Sequence, residues 1–329
     1  MSLAPSLYAS ADGLLSAAQR VVLVTHINPD GDAIGTLLGV GNWVRGLGKQ
    51  VVCAVDGGVP SFLDFLPQAQ SVLKQLDASA GHFDLCIMLD CADDQRAGKV
   101  GEYALAHTQA LINLDHHATN PRFGTVALVD ETTASAAEVA TEWILAGTSP
   151  LSFESATPLL TGIITDTQGF ATSATKPRTL ALAQALMEAG APLGAIIGRT
   201  LRSHTYAEFL LWREIFPSVR LEGRVLSAVV SLESAKRAGF EKPDDAGLVG
   251  WLNEMNEAAV VVIFKQIDEQ TTRLSLRCKE GYDVAQVAAQ FGGGGHVQAA
   301  GASFSGSLEQ ARAAVMPLLQ RVVAQGDAS

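Results

Sequence analysis

Residues 21–35, VVLVTHINPDGDAIG, decide how this chain is read. Val21 to Val24 is the unbroken apolar run a parallel strand needs when both its faces are covered. His26, Asp30 and Asp32 follow just past its carboxyl end, and Ala33-Ile34-Gly35 opens an apolar segment at helical spacing. These side chains fall where open α/β sheets hold ligands, in the crevice outside the strand carboxyl ends. Pro29 and Gly31 favour a tight turn that aims two carboxylates into one crevice. An imidazole with two carboxylates suits a divalent ion such as Mn²⁺ better than the thiolate sites of structural zinc do. A surface loop with ordinary turn aspartates is the competing reading, and it loses ground only if other acidic strand ends join.

They do. Residues 33–47 carry a helical apolar pattern that stops near Gly46 and Gly48, and Lys49–Val55 is the next strand. Phe83–Leu89 ends on Asp90, Ala110–Leu114 ends on Asp115-His116-His117, and the apolar segment LLTGII at 159–164 leads to Asp166. Four apolar segments thus deliver acid or imidazole groups at their carboxyl ends. The βαβ rhythm predicts an α/β fold with a mainly parallel sheet flanked by helices. Leu180–Gly190 reads as a helix followed by breakers, and residues 200–216 as another. A first domain is therefore expected over 1–186, a helical linker over 187–216, and a smaller α/β domain over 217–329. In the latter, Arg224–Leu232, Ala258–Gln266 and Arg273–Cys278 are strand-like. Asp283–Gln290 is helical and runs into four glycines, 292–295, and His296; residues 307–324 form a terminal amphipathic helix.

With 329 residues, 48% hydrophobic and 17% charged, the chain can bury sizeable cores. A formal net charge of −11 argues against wrapping long nucleic acid on a broad cationic face. Small anionic substrates stay open, because metals and a few arginines can build a local positive pocket. The N-terminal MSLAPSLYAS lacks a basic segment and a long apolar core, so no signal peptide is expected. No stretch reaches the ~20 apolar residues of a membrane span. Cys53, Cys86, Cys91 and Cys278 lack metal-type spacing and read as reduced thiols of a cytoplasmic protein, with Cys91 a small apolar filler beside Asp90.

Five stretches occur in a fixed order: THINPDGDA at 25–33, LDCAD at 89–93, LDHH at 114–117, TGIITDTQGF at 161–170 and FGGGGHVQAAG at 291–301. In them the chain resembles the DHH–DHHA1 phosphoesterase family, and its two-domain length most resembles the NrnA-like oligoribonucleases (nanoRNases), which also dephosphorylate pAp. The resemblance implies a DHH domain and a DHHA1 domain with the active site in the cleft between them. It further implies two divalent ions, most often Mn²⁺. His26 and Asp30 would hold one, Asp32, His116 and Asp166 the other, and Asp90 would bridge them. Asp115 would orient the imidazoles, and His117 would contact the scissile phosphate or assist its leaving oxygen. Arg277, Gly293, Gly294, Gly295 and His296 would bind the substrate phosphate. Thr132, Thr133 and Ser135 read more simply as a helix cap.

Two departures bear on substrate preference: Ala171 stands where relatives often carry arginine, and Cys278 where serine is frequent. The function implied is two-metal hydrolysis of short RNA and linear dinucleotides such as pApA and pGpG, with pAp as a monoester substrate. A cyclic-dinucleotide phosphodiesterase is the nearest alternative, and a metal-dependent nucleotide sensor without turnover is another. Relatives suggest a homodimer, although no stripe in this sequence compels one. Neither long duplex nucleic acid nor a membrane is expected as a partner.

Overall fold

The computed structural model describes residues 3–147 and 150–327, and the chain divides into two compact units, Met1–Ser203 and His204–Ser329. The first contains α1 (Pro5–Ala17), β1 (Arg20–Thr25), α2 (Gly31–Gly46), β2 (Gln50–Ala54), β3 (Leu85–Leu89), α3 (Gly98–Ala106), β4 (Leu111–Asp115), β5 (Val126–Val129), α4 (Ala136–Ala146), α5 (Phe153–Asp166), α6 (Pro177–Glu188) and α7 (Leu193–Thr200). Its five strands are all parallel in the order β2-β1-β3-β4-β5. Alternate residues feed two cores, which explains the continuous apolar runs. Val21 and Leu23 pack with α2, α4 and α5 on one face. Val22 and Val24 pack with α3 on the other. The chain leaves β1 for one side and reaches β3 on the other, so a switch point lies beside the carboxyl end of β1.

One expectation needs correction. The apolar segment at 159–164 is not a strand delivering Asp166; it is the second half of α5. A six-residue apolar run cannot separate strand from buried helix, and here Leu159, Leu160, Ile163 and Ile164 recur at helical spacing. Helix α5 lies unusually close to α2. A Cβ on Gly35 would sit 2.5 Å from the Pro158 carbonyl, and one on Gly39 would sit 2.5 Å from Leu159 Cγ. Pro158 has no N–H to give the Glu154 carbonyl, and Asn42 Nδ2 of α2 donates to that carbonyl at 2.7 Å instead.

The second unit contains α8 (Tyr206–Ile215), β6 (Arg220–Glu222), β7 (Val225–Val230), α9 (Leu232–Arg237), α10 (Leu248–Asn253), β8 (Val260–Gln266), β9 (Thr271–Cys278), α11 (Ala285–Ala289), β10 (Gly294–His296), β11 (Ala299–Ser305) and α12 (Leu308–Gly326). Its sheet runs β10-β11-β9-β8-β7-β6, with β7 and β8 parallel and the other pairs antiparallel. Val260, Val262 and Phe264 of β8 face α11 and α12, while Val261 and Ile263 face α8, α9 and α10. The span 187–216, read from sequence as a linker, contributes to both cores. Ile196 of α7 is buried in the first unit, and Leu211, Trp212 and Ile215 of α8 are buried in the second. Among the described residues no single helix is long and apolar enough to cross a membrane.

Candidate active site

Three adjacent strands set the geometry of the first unit. β3 lies between β1 and β4, so Asp90, the residue after β3, stands midway between the β1 turn and the His116-His117 pair after β4. Its two oxygens face opposite ways: Oδ2 is 3.3 Å from His26 Nε2, and Oδ1 is 3.6 Å from His116 Nε2. Potential ligand atoms fall into overlapping groups. His26, Asp30 and Asp90 form one, Asp32, His116 and Asp166 a second, and Asp90, Asp115, His116 and His117 a third.

Each ligand-type side chain is held from behind. The His26 ring sets Nδ1 against the Ile27 carbonyl at 2.9 Å, which turns Nε2 toward Asp90. Asp30 is the N-cap of α2, its Oδ1 accepting from the Asp32 and Ala33 amides at 3.1 and 3.0 Å. Asp32, fully buried, docks on the amino end of α4: Ala136 N–H donates to Oδ2 at 2.6 Å and Ala137 N–H to Oδ1 at 2.9 Å, with Thr36 Oγ1 adding a bond at 3.2 Å. The positive end of α4 therefore faces a carboxylate. Ser135 caps that helix as its sequence suggested. The His116 ring bonds the Thr133 backbone, and His117 Nδ1 donates to Asp115 Oδ1 at 2.8 Å.

Asp115 is in turn fixed by Asn120, whose Nδ2 donates to Asp115 Oδ2 at 2.7 Å while lying 2.9 Å from Asn113 Oδ1 and 3.1 Å from the Cys91 carbonyl. Sequence reasoning missed Asn120, Thr36 and the two α4 amides. Only the polar Asn113 inside the apolar run 111–114 hinted at a hydrogen-bonded layer beneath the histidines. It missed Gly162 as well. A Cβ there would lie 2.6 Å from Asp32 Oδ1, so α5 can approach Asp32 only with glycine at this position.

The electrostatics are those of crowded, uncompensated carboxylates. Burial, and then the charge of Asp30, push Asp32 up to about 7 against the pull of the α4 amides. Burial and neighbouring aspartates raise Asp90 and Asp166 well above the usual carboxylate range. Asp166 also ends α5, where the helix dipole disfavours a negative charge. Burial tends to raise Asp115 too, but the bonds from His117 and Asn120 outweigh it and hold it low. Burial and the proximity of His117 lower His116 to about 4, leaving a neutral imidazole at pH 7. Asp90 has φ 55°, a left-handed backbone that non-glycine residues seldom adopt, and its buried Oδ1 has no hydrogen-bond partner. Oxygen and imidazole donors, an orphaned carboxylate oxygen and mutual repulsion all fit a site that can hold a hard or borderline divalent ion.

The four cysteines are free and buried. Burial and the neighbouring Asp90 and Asp115 push the Cys91 thiol well up, which suits a packing role. In the second unit, the glycine run expected as a loop is partly strand. Gly294 pairs with Gly301 and His296 with Ala299, and Ala299 also pairs with Arg277. Arg277 and His296 therefore share one sheet face, two strand spacings or ~10 Å apart, with only an alanine methyl between. Gly293 and Gly295 press on β11, where a Cβ would meet the carbonyls of Gly301 and Ala299. Burial lowers the Arg277 guanidinium, and the charge of Asp245 acts in the opposite direction.

Residues 20–163 match the DHH family, N-terminal domain, and residues 223–324 match the DHHA1 domain. The bifunctional oligoribonuclease and PAP phosphatase NrnA of Thermus thermophilus is 32% identical over 92% of this chain and 89% of its own length. The Bacillus subtilis protein of the same name is 26% identical over 88% of this chain and 90% of its own. Among solved structures, an exopolyphosphatase-related protein from Bacteroides fragilis superposes with a TM-score of 0.87 at 21% identity, covering 97% of this chain and 96% of that one.

Proposed function

From the premise that this chain belongs to the DHH family of phosphoesterases and carries a DHHA1 domain, we propose that it hydrolyses short oligoribonucleotides and linear dinucleotides such as pApA and pGpG, and also pAp, with two divalent ions of the Mn²⁺ class. The observation that carries this reading is Asp90, whose two oxygens face two separate imidazole-carboxylate groups as a bridging ligand must. His26 and Asp30 would hold one ion, Asp32, His116 and Asp166 the other. Held there, the ions would supply an activated water and neutralise charge at phosphorus.

The chain's own residues do the rest. The α4 amides and Thr36 fix Asp32, and the Asp115–Asn120 pair fixes the His117 ring with its Nε2 directed away from Asp115. His117 is thus oriented to contact the scissile phosphate or to give a proton to the leaving 3′-oxygen. In the second unit, Arg277 grips a terminal phosphate bidentately from one side of Ala299 and His296 from the other, with the Gly293–Gly295 backbone beside them. The relatives named as oligoribonuclease and PAP phosphatase support both substrate types.

Product analysis with Mn²⁺ on pApA, a five-nucleotide RNA, pAp and cyclic di-AMP tests the reading, with Asp90→Asn as control. Mononucleotide from pApA and RNA, absent in the variant, is the expected result. Cleavage of the cyclic dinucleotide alone would reassign the substrate class, and binding without product would leave a sensor.

A further inference from the structure

The sheet face that carries Arg277 continues along β9 to a second cationic row. Residues directly opposite one another across strands share a face, and Lys265 of β8, Arg273 of β9 and Ser303 of β11 are in register. They line a concavity of about 440 Å³ together with Gly292, Gly293 and Gly301. Like charges directly opposed on neighbouring strands repel, so a fold without use for the pair gains nothing by keeping it there. Lys265 Nζ is held 3.2 Å from buried Asp245 Oδ2, which half-neutralises it. Arg273 is exposed and, among the described residues, has no ion pair or hydrogen bond. In a chain of net charge −11, an unpaired guanidinium opposite a lysine and beside a serine hydroxyl, around a glycine-floored hollow, has the chemistry of a phosphodiester site.

Arg273 and Arg277 are four positions apart on β9, about 13 Å along the strand. That is farther than neighbouring phosphates of one chain, so the two arginines suit non-adjacent phosphates. We propose that Lys265, Arg273 and Ser303 form a second phosphate site that engages oligonucleotides of three or more nucleotides, while dinucleotides use only the Arg277 row. The proposal rests on the reading of Arg277 given above. It makes the second unit a length-sensing surface in which longer members of the short-RNA class gain one further contact.

Binding of pApA, pApApA and a five-nucleotide RNA to the full chain, measured by calorimetry without divalent metal so that substrate stays intact, tests it. Arg273→Gln and, separately, Lys265→Met should each lower the affinity ratio of pApApA to pApA by at least about fivefold. Arg273→Gln should flatten the salt dependence for pApApA by about 0.7 in log–log slope, the value for one phosphate contact on a single strand, and Arg273→Lys should recover part of the loss. Equal losses for both ligands, or no loss for either, would overturn the second site. Failure of the hydrolase reading shows separately, as uncleaved pApA with wild-type protein in Mn²⁺, and leaves the binding comparison standing.

Discussion

If Asp32 holds a divalent ion as proposed, Gly162→Ala should weaken ion binding without replacing any proposed ligand. The new Cβ would stand 2.6 Å from Asp32 Oδ1, 2.7 Å from Ala137 Cβ and 3.3 Å from Asp32 Cα. Ordinary contact begins at 3.4 Å, so the carboxylate must retreat by about 0.8 Å. Its bonds from Ala137 N–H at 2.9 Å and Thr36 Oγ1 at 3.2 Å cannot both survive that shift. In stability, the helix-propensity gain of ~1 kcal/mol opposes an overpacking cost of about 1–3 kcal/mol, so the net change is small or moderately unfavourable. In metal affinity, loss of supporting bonds to a ligand costs about 10–100-fold. Gly39→Ala is the control, because its Cβ clashes at 2.5 Å with Leu159 in the same helix pair but two turns from Asp32. Calorimetric Mn²⁺ titration beside thermal melts of the metal-free proteins separates the two effects. Both variants should melt within a few kcal/mol of wild type, and only Gly162→Ala should bind Mn²⁺ at least about tenfold more weakly. Wild-type Mn²⁺ affinity in Gly162→Ala, or an equal loss in Gly39→Ala, would refute the reasoning.

Mn²⁺ affinity should rise steeply from pH 5.5 to 8, because the proposed ligands Asp32, Asp90 and Asp166 carry raised pKa values and would have to lose protons to bind; calorimetry in buffers of different ionisation enthalpy should detect protons released, and none released would contradict it. In the metal-free protein the sign is opposite for stability: Asp90 holds its proton more tightly folded than unfolded, so its contribution falls as pH rises above the unfolded value near 4. Asp90→Asn, which keeps a side chain tolerant of the left-handed backbone, should therefore melt above metal-free wild type at pH 8, with the gap closing toward pH 5, while hydrolysis is lost. Asn120→Ala should raise the Asp115 pKa and lower kcat by about 10–100-fold with Mn²⁺ affinity nearly retained; a pH–rate profile identical to wild type would exclude this route through His117. Asn42→Ala should cost about 1–3 kcal/mol in denaturant melts, since it orphans the Glu154 carbonyl that Pro158 cannot serve.

Strands β1, β3 and β4 were legible because they are buried on both faces, read as plain apolar runs and are each followed by a ligand-type residue, whereas the half-buried edge strand β5 carried no such signal. Asp166 was legible as a candidate ligand, and the structure groups it with Asp32 and His116, but it was not legible as the end of a helix, because the six-residue apolar run at 159–164 fits either period. The supports were the least visible. Asn120 looks like any loop asparagine, and the amides of Ala136 and Ala137 have no side-chain signature at all. The need for glycine at 162 comes from what α2 and α4 bring against it, Asp32 and Ala137, which no local sequence pattern announces. In the second unit, the four glycines were read for their freedom near an anion, whereas part of their use is the close pairing of β10 with β11. The cationic row at Lys265 and Arg273 becomes visible only once strand register is known.

The irregularities of the first unit converge on one residue. Asp90 combines a left-handed backbone, an unpartnered buried oxygen and repulsion from Asp32, Asp30 and Asp115. None of these favours the fold, yet its position after the middle of three strands lets one carboxylate face both His26 and His116. The surroundings counter them. Its backbone amide donates to the Leu114 carbonyl at 2.9 Å, the α4 amides absorb part of the charge of Asp32, and the close α2–α5 packing keeps the carboxylates from spreading apart. A protein selected for stability alone would place an asparagine or glycine at this turn. Keeping an aspartate there is intelligible if divalent ions supply the missing charge, so that the residue costliest to the metal-free fold is also the one most stabilised on binding.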